Sequence, residues 1–249
     1  CCMLLSVLQG CNSSGELKIN EQSMHHEYGE ATHEQRYEQD ALWNITYPVT
    51  QMPAIDDHIQ TILIKHKEEF AQDLHNNNTG EKAELNIDYQ SYVKEDRYIS
   101  IKLDIFTSIQ GIHEEIETIV YDQENEVFVH IQDLMKEDGL EYLSTLVRDD
   151  FAANYPEECE TQNFMVFTAP SVHNFEHFVL RKAAIVFYFD ERTLFDHSAY
   201  IEIPYDDLAE VMDLREEERY VFVPYQDILN EPVKNIDPDQ PMVALTFDD

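Results

Sequence analysis

Apolar positions recur through the middle of the chain with two periods. Ile45-Thr-Tyr-Pro-Val49, just after Trp43, reads as a strand, and Pro48, which has no amide proton to share, places an edge or an end there. Ile55, Ile59, Ile62, Leu63, Phe70 and Leu74 then fall at helical spacing. Asp56 and Asp57 stand in the first turn, where carboxylates suit the helix dipole, and Asn76-Asn-Asn-Thr-Gly80 stops the run. Period two returns at Leu85, Ile87 and Tyr89 and again at Ile99, Ile101, Leu103 and Ile105, predicting two strands with polar residues between the apolar ones. Ile119–Tyr121 and Val127–Ile131 flank Asp122-Gln-Glu-Asn125, whose residue types predict a hairpin turn. Leu140, Leu143, Val147 and Phe151 predict a second amphipathic helix.

Past Pro156 the plan repeats on a smaller scale. Phe164–Phe167, Phe175–Leu180, Ala184–Phe189 and Tyr200–Ile203 predict strands, and Asp206 to Met212 a short helix behind Pro204. The expected fold is therefore α+β: two small lobes, 45–155 and 156–213, each a mostly antiparallel sheet packed with a helix. Residues 214–240 are rich in charge and carry Pro224, Pro232 and Pro238, so they read as a linker, with Tyr220–Val223 as one further short strand.

The N-terminal end reads differently. Met3-Leu-Leu-Ser-Val-Leu-Gln-Gly10 is a short apolar run ending in a small residue before Cys11, and Asn12-Ser-Ser-Gly15 turns polar at once. The run is too short to span a bilayer. It is similar to the end of a bacterial lipoprotein signal, which implies that Cys11 is the lipidated residue and that 1–11 is what remains of that signal. The alternative is a ragged apolar terminus with an incidental cysteine. Residues 12–44 read as a flexible tether, since Glu16 to Asp40 shows almost no apolar periodicity. His25, His26 and His33 are close enough in sequence to invite a metal. Without a scaffold to fix them, incidental polar composition is the plainer reading.

Charge narrows the function. Acidic residues number 51 against 16 basic ones, a formal charge of −35. Such a field repels nucleic acid and attracts cationic proteins or metal ions, so nucleic acid is excluded as a partner. An acidic surface kept for solubility alone is the competing explanation. Cys1, Cys2, Cys11 and Cys159 build no disulfide framework, and Cys159 reads as a small buried hydrophobe.

The candidate chemistry lies at 241–249. Pro241-Met-Val-Ala-Leu-Thr-Phe-Asp-Asp249 reads as a short buried strand delivering two adjacent carboxylates, one able to hold a divalent cation and the other to act as a base beside it. The bland alternative is a strand ending in a solvated acidic turn. Val243-Ala-Leu-Thr-Phe-Asp-Asp249 resembles the first motif of the NodB-homology polysaccharide deacetylases. That resemblance implies Asp248 as general base and Asp249 as a metal ligand, with two histidines further on completing the site. It implies a divalent metal, zinc being the expected one, in the complete protein and none in this stretch alone. The chain is thus expected to stop inside the first strand of the catalytic domain.

The body resembles known sequences too. Ile45-Thr-Tyr-Pro, Tyr121-Asp122, Asp133-Leu134 and Phe151 are similar to the uncharacterised domain of peptidoglycan N-acetylmuramic acid deacetylases. Phe175-Glu-His-Phe-Val-Leu180, Ile185-Val-Phe-Tyr-Phe189 and Glu202-Ile-Pro-Tyr-Asp-Asp-Leu208 are similar to its companion domain, also found in the lysozyme-receptor anti-sigma factor. His113 matches a histidine of that pattern and is expected to fix a turn rather than bind a ligand. Two functions follow as expectations. One is the non-catalytic region of a lipid-anchored, extracytoplasmic deacetylase of a Gram-positive bacterium, facing cell-wall glycan and the membrane. The other is a sensor for a cationic protein such as lysozyme. The lipobox-like Cys11 and the Thr246-Phe-Asp-Asp249 ending favour the enzyme.

Overall fold

The structure is a computed structural model and describes residues 25–38, 40–76, 82–109, 111–157, 159 and 161–213. It is α+β, with two mostly antiparallel sheets and few helices. The first sheet has the order β1 (Glu30–Glu38), β2 (Ala41–Val49), β3 (Ala83–Lys94), β4 (Tyr98–Ser108), β5 (Ile112–Asp122), β6 (Val127–Phe128). β2 and β3 run parallel, from Ala41 opposite Ala83 to Ile45 opposite Ile87. Parallel neighbours need a crossover, and α1 (Pro53–Asn76) supplies it. Asp56 holds the entry to α1, accepting hydrogen bonds at Oδ1 from the Thr50 amide (2.8 Å) and hydroxyl (2.7 Å).

The period-two residues all lie on the face that α1 covers. Ile55, Ile59, Leu63 and Phe70 pack with Leu85, Ile87, Tyr89, Ile99, Ile101, Leu103, Ile105, Ile119 and Tyr121 in one buried cluster. The opposite face meets the second sheet, β7 (Phe178–Leu180), β8 (Ala184–Phe189) and β9 (Ala199–Pro204), through Tyr92, Ile116, Val179, Val186 and Tyr188. The Leu180 amide donates to Ser100 Oγ (2.9 Å) and the Phe178 amide to Thr118 Oγ1 (3.1 Å), so hydroxyls of β4 and β5 satisfy edge amides of β7. Every residue of β8 is buried. Its other side carries Phe187 and Phe189, which meet Phe175 and, at Phe189, Phe151 edge-on. Phe151 belongs to α3 (Gly139–Asn154), which follows the one-turn α2 (Ile131–Leu134) and precedes α4 (Gln162–Phe167); α5 (Tyr205–Leu208) follows β9.

Several elements depart from the sequence expectation. Residues 30–38, expected within the tether, form β1, and β2 begins at Ala41 instead of near Ile45. β1 buries almost nothing. Its strand character comes from backbone pairing with β2, in register from Glu30–Val49 to Glu38–Ala41, after a turn in which Asp40 takes φ 62°. Pro48 does not lie on an edge strand, since β1 covers β2; it lies past Ile45, where pairing with β3 has ended. Phe164–Phe167 is helical. Thr161 caps α4 by accepting from the Phe164 amide (3.2 Å), and a four-residue apolar run carries no period to tell helix from strand. A 3₁₀ turn at His173–Phe175 shortens the next strand to β7, and Val127–Ile131 pairs only through Val127 and Phe128 because Ile131 opens α2.

Candidate functional site

Cys11, Asp248 and Asp249 lie outside the described residues. Among the described residues, no group of three His, Cys, Asp or Glu side chains is placed to hold a metal ion. His25 and His26 stack on Tyr92 and Tyr89 (ring centroids 5.1 and 4.0 Å), and His33 Nδ1 lies 3.2 Å from Thr46 Oγ1. These histidines therefore fasten the start of the fold to β3 and β2. His113 belongs to β5 and not to a turn. Its Nδ1 lies 3.2 Å from Glu191 Oε1, tying the start of β5 to the segment after β8. Cys159 sits partly buried just beyond α3. No helix among the described residues is long and apolar enough to cross a membrane.

A groove of about 400 Å³ opens where β1 and β2 meet α1, lined by Glu34, Gln35, Arg36, Trp43, Ile45 and Lys67. Strand register builds it. Glu34 lies opposite Ile45 and Arg36 opposite Trp43, so all four share the face toward α1, from which Lys67 reaches over. Lys67 Nζ donates to Glu34 Oε2 (2.8 Å) and the Tyr47 hydroxyl to Glu34 Oε1 (2.9 Å). The Lys67 hydrogen bond holds the Glu34 carboxyl below the ordinary carboxylate range; partial burial opposes it, and the Tyr47 bond adds to it. The Arg36 guanidinium lies 4.5 Å from the Trp43 ring centroid, and the ring's edge meets Phe70 (4.8 Å, 87°). Arg36 Nε stands 3.4 Å from Glu38 Oε2. Trp43 is thereby only 7% exposed, beneath an Arg36 side chain that is 59% exposed. The groove combines an apolar floor with planar polar side chains, and each of its two cations has a carboxylate beside it.

A second polar assembly fills the junction between the sheets. Lys94 lies over the ring of Tyr205, Lys102 over Tyr188 and Arg181 over Tyr92, at 4.7, 4.7 and 4.9 Å. Each cation also has a carboxylate partner: Glu95, Asp104 and, at 2.9 Å, Glu202. Burial pushes the Tyr188 and Tyr205 phenols far above their ordinary range, so these rings stay neutral and present electron-rich faces to the cations. This assembly fills the junction with paired cations and aromatic rings. The β1–β2–α1 groove, open to solvent, is a candidate for binding.

Neither feature was visible in the sequence pattern. Glu34 and Arg36 fall in the stretch read as tether, and the lysines of β3 and β4 occupy the polar positions of period-two strands. The signal available was Trp43, the chain's single tryptophan, preceded by an Arg and a Glu at alternate positions.

No family model matches the chain. The chain is similar to the peptidoglycan-N-acetylmuramic acid deacetylase PdaC of Bacillus subtilis (strain 168). The two are 25% identical over 227 residues, covering 82% of this chain and 48% of PdaC, so the match spans about half the length of that relative. Among solved structures the chain is similar to a DUF3298 family protein from Pseudomonas aeruginosa PAO1 (TM-score 0.52, 17% identity, 74% of this chain and 93% of that one). A DUF3298 family member from Bacteroides fragilis NCTC 9343 gives 0.47 at 14% identity, over 74% and 91%. The Pseudomonas likeness is one of fold. The relation to PdaC is carried by sequence over most of the chain.

Proposed function

We propose that this chain is the non-catalytic, extracytoplasmic region of a metal-dependent cell-wall polysaccharide N-deacetylase, and that it positions the enzyme on its glycan. The observation that carries this reading is the similarity to PdaC over 82% of the chain. It is joined by Val243-Ala-Leu-Thr-Phe-Asp-Asp249, which resembles the opening motif of a deacetylase domain. In this reading Cys11 carries the lipid that anchors the protein to the membrane. Asp249 is one ligand of a divalent metal, zinc by expectation, and Asp248 is the base beside it.

Co-sedimentation of the 249-residue chain with purified peptidoglycan sacculi tests the positioning role. Saturable retention on sacculi, with none on cellulose, is expected. Equal distribution between pellet and supernatant at every sacculus concentration would sink the reading. The net charge of −35 favours a second one, a sensor for a basic protein such as lysozyme. Titration with lysozyme at rising salt separates the two: a sensor binds one equivalent at physiological ionic strength, whereas non-specific attraction fades as salt screens it.

A further inference from the structure

We propose that the β1–β2–α1 groove is the glycan subsite of this region and takes an N-acetylated hexosamine unit; this rests on the cell-wall reading above. A pyranose ring has apolar C–H faces and a rim of hydroxyl and acetamido groups. The groove offers the complement: Trp43 and Ile45 form its floor, and Arg36 and Glu34 stand beside them on the same face. Arg36 can only donate, and Glu34, already bonded on both oxygens by Lys67 and Tyr47, is fixed in place as an acceptor. At about 400 Å³ the groove lies in the size class that holds small ligands.

Charge points the same way. On a chain of −35, an anionic wall polymer approaches most readily where the local field is balanced. Here Lys67 is set against Glu34 and Arg36 against Glu38. The second of these pairs is loose, 3.4 Å apart with both side chains more than half exposed. Pairs of that kind hold a side chain weakly. A sugar displaces the guanidinium from the Trp43 face, stacks there itself, and keeps Arg36 as a donor at its edge. The acetamido oxygen is the acceptor best suited to it, since a planar fork of N–H groups addresses a carbonyl more selectively than a hydroxyl does.

Trp43 makes the test direct, because no other tryptophan contributes to the emission. The 249-residue chain is titrated with the tetramer of N-acetylglucosamine and, in parallel, with cellotetraose, which lacks acetamido groups. A saturable change in Trp43 emission is expected with the first and none with the second. Arg36→Ala is expected to weaken the tetramer by about tenfold or more, as is Arg36→Lys, which keeps the charge but loses the planar fork. Both variants alter an exposed side chain on an edge strand, and unchanged far-UV circular dichroism checks that the fold is kept. Equal response to cellotetraose would overturn the N-acetyl assignment. An undiminished response in Arg36→Ala would place binding elsewhere. No response to the tetramer, with sedimentation on sacculi intact, overturns the groove and spares the wall reading. Loss of sedimentation by the unaltered chain removes both.

Discussion

Asp122→Asn should be among the most damaging conservative substitutions in this fold. Asp122 ends β5, and its carboxylate receives Arg97 Nε at 3.1 Å on each oxygen and Arg97 Nη2 at 2.6 Å on Oδ2. It also accepts the amides of Glu124 (3.0 Å) and Asn125 (3.2 Å), so one group both pairs a buried cation and shapes the hairpin turn. The two side chains are 11% and 5% exposed. Breaking a buried ion pair from one side costs about 3–5 kcal/mol, because the partner charge is left uncompensated. Arg97 would keep Glu124 at 3.4 Å and the Tyr98 ring at 4.8 Å, which places the expectation at the low end, about 3 kcal/mol. An independent route agrees. Burial alone would raise the Asp122 pKa, but the bonds from Arg97 and Asn125 outweigh it and bring the carboxyl from 3.8 to about 2. That difference corresponds to roughly 2 kcal/mol held by the ionised form. The folded value is the depressed one, so this stability is present in full above about pH 4 and is lost as the pH falls toward 2. Urea unfolding followed by Trp43 emission at pH 7 should show the loss, with a fall in Tm of about 6–12 °C for a domain of this size. The gap between wild type and variant should then close at about pH 2. A cost below about 1 kcal/mol at pH 7, or a gap that does not change with pH, would show that the pair behaves as a solvated surface bridge.

Leu63→Ala should cost about 2–5 kcal/mol and Ile64→Ala less than about 0.5 kcal/mol, since Leu63 is fully buried under the sheet while its neighbour is 53% exposed. Comparable losses in urea titrations of the two variants would mean that α1 presents a different face. Gly139→Ala should lower Tm despite the higher helix propensity of alanine, because the added Cβ would meet Val211 O at 2.9 Å and Met135 Cβ at 3.0 Å. A raised Tm would show that the segment around Val211 yields without cost.

The parts of the fold legible in the sequence are those where one physical cause acts alone. α1 and α3 bury one stripe, and β3 to β5 place Leu85, Ile99, Ile119 and their period-two neighbours under α1, so periodicity and burial coincide. β1 was illegible because backbone pairing, and not burial, makes it a strand. The junction assembly was illegible for a different reason. Lys102 and Ser100 occupy polar positions in β4 and read as solvent-facing, yet they are 3% and 0% exposed because a second sheet arrives from 80 residues later in the chain. Periodicity reports which side differs from the other; it does not report that both are covered. The groove was lost with β1, since Glu34 and Arg36 acquire a common face only once that strand exists.

The distribution of charge then bears on what the surface can meet. Lys94 and Lys102 are withdrawn between the sheets, and Arg97 is withdrawn against Asp122, each matched by a carboxylate and an aromatic face. Cations spent in this way cannot soften the acidic exterior, which is therefore more one-sided than composition alone conveys. At physiological salt a charge is screened beyond about 8 Å, so an arriving polymer responds to its immediate surroundings more than to the total of −35. β1 itself carries three carboxylates, Glu30, Glu34 and Glu38. At the groove those surroundings are Arg36 and Lys67 above an indole and an isoleucine, with their two counter-charges alongside. There each cation is offset by its neighbouring carboxylate. The residues that shape the groove thus also bring two cations to a surface whose net charge is strongly negative.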